Sequence, residues 1–348
     1  MTDHPGAGRS CPRMWIVAGV LVSAVIAVAA TTGAIVAMSR GGGSSSGPAV
    51  AAGAAAPTSA SGAVSPGAPT SDLGPAPGAA GGNPSPVPVP VGAGGTAVNV
   101  PVLVYHYVRV DRNACDGLGM SLSVTPTVLN QQLTLLQVAG YHVISLDALM
   151  AAVLHGAPLP THPVVLTFDD GYADFATAAV PILLAHNMTA TDFVVPGFLG
   201  RSSYMTTEQV LLAEDAGMSI GAHTMHHVAL AHVAPAKAAV EITGSRTFLQ
   251  QLLGEPVADF AYPYGDFNGT VEQLVAKAGF SDGFTTISGT HQSPQFRYAL
   301  PRLHVGNGLP YFAAQLGIPA TALAAAAAVA VPLPPGEDSG NPPKAKRC

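Results

Sequence analysis

Val164-Val165-Leu166-Thr167-Phe168, followed at once by Asp169-Asp170-Gly171-Tyr172, reads as a buried strand that hands two adjacent carboxylates to a turn. The run is apolar on both faces, as in a parallel strand covered on either side. Asp-Asp-Gly alone is also an ordinary turn, because Asp accepts local backbone hydrogen bonds and Gly tolerates positive φ. The buried setting asks for more, since two carboxylates delivered to one spot need a proton, a partner or a metal. His223-Thr224-Met225-His226-His227 supplies the partners. Positions i and i+4 share one face of a helical turn, so His223 and His227 are expected to converge on one ion while His226 points elsewhere. An aspartate with two histidines is a three-ligand set for Zn²⁺ or a similar divalent ion, and it leaves a position open for water. His186 and His232 have no matching carboxylates and are given no role.

Working outward, short apolar runs alternate with longer helical patterns across residues 100–318. The strand candidates are Val102 to Tyr107, His142 to Ser145, Val164 to Phe168, Thr191 to Val195, Met218 to Ala222, Asp259 to Tyr262, Phe284 to Ile287 and Leu300 to Val305. Alternation of this kind is the sequence form of a βα repeat, and seven or eight units suit a barrel of parallel strands. Gly140, Gly217 and Gly279 each stand where a helix should end and a strand begin. Thr125-Pro126 and Thr206 through Gln209 are expected to start helices. On this map His106, the Asp169-Asp170 pair, His223, Pro263-Tyr264 and His304 all lie at carboxyl ends of strands, which a parallel β/α barrel gathers on one face. Tyr105-His106 is either a polar pair facing substrate or a packed tyrosine beside a satisfied histidine.

Thr167-Phe168-Asp169-Asp170-Gly171, His223-Thr224-Met225-His226-His227 and Tyr262-Pro263-Tyr264-Gly265 together resemble the successive motifs of the polysaccharide deacetylase family, the NodB-homology carbohydrate esterases. Pro101 through His106 and Ala261 through Gly265 are similar to the branch that acts on poly-N-acetylglucosamine. The resemblance implies a distorted (β/α) barrel of seven or eight parallel strands and hydrolysis of N-acetyl groups from a sugar polymer. By the same resemblance Asp170, His223 and His227 would hold one divalent metal ion, Zn²⁺ with Co²⁺ or Ni²⁺ as alternatives. Asp169 would be the general base. Tyr264, through its backbone N–H, with Pro263 and His106 beside it, would serve the oxyanion and substrate. His304 resembles the family's late histidine, which protonates the leaving amine.

The chain departs from the family in one place. An arginine usually precedes the proline of the third motif and orients the base, and here that stretch is Phe260-Ala261-Tyr262. Arg302 and His304 are two apart on a candidate strand, so their side chains leave on the same face. Arg302 can therefore replace the missing arginine through a charge-assisted pair with Asp169, or else cap a loop carbonyl or face solvent.

The flanks read differently. Met14 to Met38 carries no charge and is long enough for one transmembrane helix, with residues 1–13 cytoplasmic by the weak basic excess of Arg9 and Arg13 over Arg40. Ala27-Val28-Ala29 admits a cleaved signal peptide instead, and either reading exports the rest, so the expected location is the cell membrane with an extracytoplasmic domain, or secretion. Residues 39–99 are expected to be a disordered Gly/Ala/Pro linker, 100–318 the catalytic domain and 319–348 an Ala/Pro-rich tail. Three cysteines make no disulfide framework, although Cys115 could pair with Cys348 in an oxidising compartment. A net charge of −6 without a basic patch excludes nucleic acid as the partner, leaving acetylated polysaccharide and the membrane. Two other functions remain open, an O-acetyl esterase on the same site and a non-catalytic carbohydrate-binding protein.

Overall fold

Apolar runs bounded by caps produce seven strands: β1 (Val102–Tyr105), β2 (His142–Val143), β3 (Pro163–Asp170), β4 (Thr191–Val194), β5 (Ser219–Ala222), β6 (Phe284–Ser288) and β7 (Leu300–His304). This computed structural model describes residues 85–88, 94–111, 115–329 and 332–333. The strands are all parallel, in the order β5-β4-β3-β1-β7-β6, with β2 also on β3. Parallel bridges Ala222↔Phe260 and Ala261↔Phe284 join β5 to β6 and close the path into a ring. The eighth expected strand, Asp259 to Tyr262, survives only as these two bridges.

Alternate residues of the strands enter two separate cores, as the period of two requires. Val102, Val165, Phe193, Ala261, Phe284 and Leu300 pack together inside the ring, with Leu149 and Val153 of α2 (Leu146–His155). Leu103, Leu166, Phe168 and Val194 belong to the second core, with Leu129, Leu133 and Leu136 of α1 (Pro126–Val138). The helix starts follow their capping residues. Thr125 accepts from the Val128 N–H, and Thr206 and Gln209 form a reciprocal box at the head of α3 (Thr207–Asp215). Gly140, Gly217 and Gly279 have left-handed φ at the expected joints.

Several boundaries differ from the sequence expectation. β3 runs two residues past Phe168, so the aspartates end the strand itself. The linker does not extend to residue 99. Val98–Asn99 pairs antiparallel with His291–Gln292, Thr96 N–H donates to the Val153 carbonyl, and Val87 N–H donates to Glu272 on α5 (Gly269–Ala278). Backbone hydrogen bonds thus order a segment whose composition offers little to bury. At the other end, alanine's helix propensity builds α7 (Ala320–Ala328) after α6 (Leu309–Gln315), and Ala326 packs into the second core. The structured region is therefore wider than 100–318. Cys115 is disulfide-bonded, and Cys11 and Cys348 lie outside the described residues. The proposed membrane segment 14–38 and most of the linker and tail also lie outside them. Among the described residues no helix is long and apolar enough to cross a membrane.

Candidate active site

The parity of β3 separates its two aspartates. Val165, Thr167 and Asp169 share one face, and there Arg302 reaches them from β7. Arg302 Nη1 donates to Asp169 Oδ1 and Nη2 to Oδ2, both at 2.7 Å, a bidentate pair between side chains that are almost completely buried. The guanidinium is fixed by further bonds from Nε to the Thr285 carbonyl at 3.0 Å and from Nη1 to Thr167 Oγ1 at 3.2 Å. Burial opposes the charge on Asp169, but the Arg302 charge and its hydrogen bonds outweigh that effect and hold the carboxyl below the usual carboxylate range.

Asp170 would follow the other parity, but its φ of 83° breaks the strand. Its Oδ1 lies 3.1 Å from His227 Nε2 and 3.4 Å from His223 Nε2. Gly171 completes the bend with φ 73°, and a Cβ there would be strained by that backbone and would come within 3.2 Å of Val194 Cγ1, which would have to give by a few tenths of an ångström. Burial also opposes ionisation of Asp170, and the protonated forms of His227 and His223 would reverse it by charge and hydrogen bonding, placing this carboxyl well below the usual range. A third buried carboxyl, Asp192 on β4, has no hydrogen-bond partner for either oxygen among the described residues, and burial and the nearby aspartates push its pKa well up, so it is a neutral group.

His223 and His227 converge, but not on a helix. Residues 223–227 form a turn in which Thr224 (φ 60°) and His227 (φ 55°) are left-handed. The loop after β4 presses on this turn. Gly197 N–H donates to the Met225 carbonyl at 2.9 Å, and a Cβ at Gly197 would collide with that oxygen. Each imidazole is oriented from behind. His223 Nδ1 lies 2.8 Å from the Ala261 carbonyl, which makes it the protonated nitrogen and leaves Nε2 as a lone pair. His227 Nδ1 lies 3.1 Å from the Tyr264 hydroxyl. His226 points away and binds Glu241 through its backbone N–H (2.8 Å) and Nδ1 (3.1 Å).

These residues fit a divalent cation. One ligand atom from each of Asp170, His223 and His227 can be chosen so that all lie within 4.8 Å of one another. Asp170 Oδ1 is buried without a hydrogen-bond donor, and the imidazole nitrogens facing it are acceptors when neutral. Electron pairs gathered in this way ask for a positive centre.

The remaining expected residues ring this group. Pro263 is buried, and Tyr264 is 41% exposed with φ 61° and ψ 4°. His106 has a buried Nδ1 without a hydrogen-bond partner, and burial lowers its pKa against the pull of Asp170 and Asp169. His304 is exposed, with its ring centroid 6.0 Å from that of His106. His186, bonded to Asn130 at 2.8 Å and Gln137 at 2.9 Å, is structural. Sequence reasoning missed the ring stack formed by Tyr107, Tyr172, Tyr204 and Phe198 beside the site. The phenylalanine and tyrosines are dispersed over three loops and carry no motif.

Residues 156–282 match the family model described as polysaccharide deacetylase. The chain carries a polysaccharide deacetylase domain. Its class is that of a deacetylase hydrolase on a mostly parallel α/β fold. The Bacillus subtilis (strain 168) protein YxkH, named for the same family, is 27% identical over 210 residues, covering 60% of this chain and 72% of that protein. The poly-beta-1,6-N-acetyl-D-glucosamine N-deacetylase of Escherichia coli (strain K12) is 26% identical over 252 residues, but the match spans only 37% of its length. The Streptococcus pyogenes deacetylase PplD, solved in complex with acetate, superposes with a TM-score of 0.60 at 29% identity, over 64% of this chain and all of that one. The deacetylase domain thus accounts for the motifs that the strands bring together.

Proposed function

We propose that the chain is a metal-dependent de-N-acetylase acting outside the cytoplasm on a polysaccharide that contains N-acetylglucosamine. The observation that carries this reading is Asp170 Oδ1, buried without a donor and faced by the Nε2 atoms of two imidazoles whose Nδ1 atoms are engaged elsewhere. Asp170, His223 and His227 would hold one divalent ion, Zn²⁺ before Co²⁺ or Ni²⁺. When bound, such an ion polarises an acetyl carbonyl and lowers the pKa of a water toward neutrality. Asp169, kept ionised by Arg302, takes the proton of the attacking water on a carboxylate oxygen, each of which retains a free lone pair beside its bond to arginine. His304 would protonate the leaving amine, His106 and Pro263 would border the substrate, and the Tyr264 backbone N–H would serve the oxyanion.

The names of the Escherichia coli relative and of PplD, and the acetate in the latter, support deacetylation of a glycan. Arg302, paired with Asp169 in place of the missing third-motif arginine, supports the catalytic reading over a non-catalytic carbohydrate-binding one. An O-acetyl esterase would use the same groups. The disulfide at Cys115 suits an oxidising compartment. Residues 14–38 would anchor the chain to the cell membrane, 39–84 would act as the spacer, and the catalytic domain with its tail would lie outside.

The test is acetate release by the purified chain from N-acetylated and O-acetylated glycans, with metal analysis before and after chelation. One divalent ion per chain is expected, and its removal should stop release without loss of folded structure by circular dichroism. Undiminished release from a metal-free sample would sink the metal mechanism, and release confined to O-acetyl substrates would select the esterase.

A further inference from the structure

A row of rings beside the ligands takes no part in the chemistry above. Tyr107 follows His106, Tyr172 follows Gly171, and Phe198 and Tyr204 come from the chain between β4 and α3. Tyr107 and Tyr172 stack with centroids 3.7 Å apart, and Tyr172 and Tyr204 with centroids 5.0 Å apart. Tyr204 and Phe198 meet at 4.9 Å, and Phe198 lies 6.2 Å from the ring of His227. The row therefore leads up to a metal ligand.

Each end of the row carries a guanidinium. Arg109 sits 3.5 Å over Tyr107, and Arg201 sits 4.7 Å over Phe198. The two cations differ in what else they hold. Arg109 Nη2 is paired with Asp111 at 3.2 Å, whereas Arg201 is exposed and makes no ion pair among the described residues. A guanidinium resting on a ring is already ordered, so less side-chain entropy is lost when it binds, and its planar fork matches a carboxylate. Through Phe198, whose ring lies 6.2 Å from that of His227, the guanidinium is held near the ligand group without belonging to it. The chain's net charge of −6 provides no general attraction for an anionic glycan, so any preference of that kind has to come from a fixed local cation.

We propose that Arg201 is a specificity-determining residue, which binds a carboxylate on the sugar next to the acetylated one and so favours an anionic acetylated glycan over a neutral one. The inference rests on the deacetylase reading and adds the charge of the substrate to it.

The test compares acetate release by the full chain from an N-acetylglucosamine oligomer and from the same oligomer partly carboxymethylated. The wild type should show the lower KM on the carboxymethylated form, and added salt should shrink the difference. Arg201→Gln should raise that KM by about tenfold, the size of one charge-assisted bond, with a smaller change in kcat and a smaller change on the neutral oligomer. Arg201→Lys should restore part of the effect. Lys277→Gln, which removes an exposed charge from α5, is the control and should leave both substrates unchanged. A wild type without preference, or an Arg201→Gln variant that loses equally on both oligomers, overturns the inference while leaving deacetylation standing. Failure of the wild type to release acetate from either oligomer or from any other acetylated glycan sinks the deacetylase reading, and the inference with it.

Discussion

Asp169 and Asp170 stand against a second pair of buried carboxyls, Asp259 and Asp282, which flank the segment that closes the ring. Both pairs are nearly or completely inaccessible to solvent. The first is faced by an arginine fork, which holds Asp169 ionised, and by two imidazoles that converge on Asp170. Among the described residues the second makes no ion pair. Burial pushes Asp259 up to about 6 and Asp282 well above the usual range, Asp147 at the head of α2 adds repulsion, and Asp282, whose oxygens have no other hydrogen-bond partner among those residues, can be satisfied by a proton shared with Asp259. Identical residues thus take opposite charge states, and the partners decide which. A buried carboxylate pair marks chemistry where counter-charges and lone pairs converge on it, and a shared proton where they do not.

Breaking the first pair residue by residue should have the largest effect. Asp170→Asn should lose both the metal and acetate release, whereas Asp169→Asn should keep the metal and lower turnover by about 10² to 10⁴, the range for losing general-base help. Metal analysis and single-turnover rates distinguish them, and metal loss in Asp169→Asn with retention in Asp170→Asn would reverse the two roles.

Arg302→Ala should come next. It leaves a buried carboxylate without its partner, a change of roughly 3 to 5 kcal/mol in stability. Asp169 is held below its unfolded value, so its contribution is complete above the usual aspartate value of 3.8 and is lost as pH falls through the lower folded value. Without Arg302 the burial effect is unopposed and the pKa of Asp169 rises. The acidic limb of the pH–rate profile should therefore move to higher pH, with Arg302→Lys moving it less. A profile that stays in place would separate Arg302 from the base.

The smallest effect sharpens the contrast from the other side. A carboxyl held above its unfolded value binds its proton more tightly in the folded state, so its stabilisation is present below about pH 4 and is lost as pH rises through about 6. Asp282→Asn supplies a permanent donor to Asp259. Its melting temperature should be several degrees above that of the wild type at pH 8 and close to it at pH 5. Parallel melting curves across that range would show that the pair does not share a proton.

Much of this was legible because barrel strands are continuous apolar runs and their polar ends must meet. The period of two was enough to bring Arg302 to the face that Asp169 occupies. Less legible was anything that depends on left-handed backbone outside glycine. Asp170, Thr224, His227 and Tyr264 all have positive φ, a conformation that side chains disfavour and that composition does not announce, so the histidine turn reads as a helix in the sequence. The ordered part of the linker was hidden for a related reason. Ser85 to Pro88 is held by backbone bonds to a glutamate 185 positions away from Val87, a partner that local composition does not reveal.

The arginine that orients Asp169 belongs to the last strand of the ring, whereas the three ligand side chains belong to β3 and the turn after β5. A chain emerging N-terminus first has the ligands in hand long before β7 appears. If the metal is captured at that stage, the nascent domain holds its ion beside a base that is neither oriented nor held ionised. Hydrolytic competence then arrives only when β7 inserts between β1 and β6 and carries Arg302 into the interior. Completion of the fold and orientation of the base are one event.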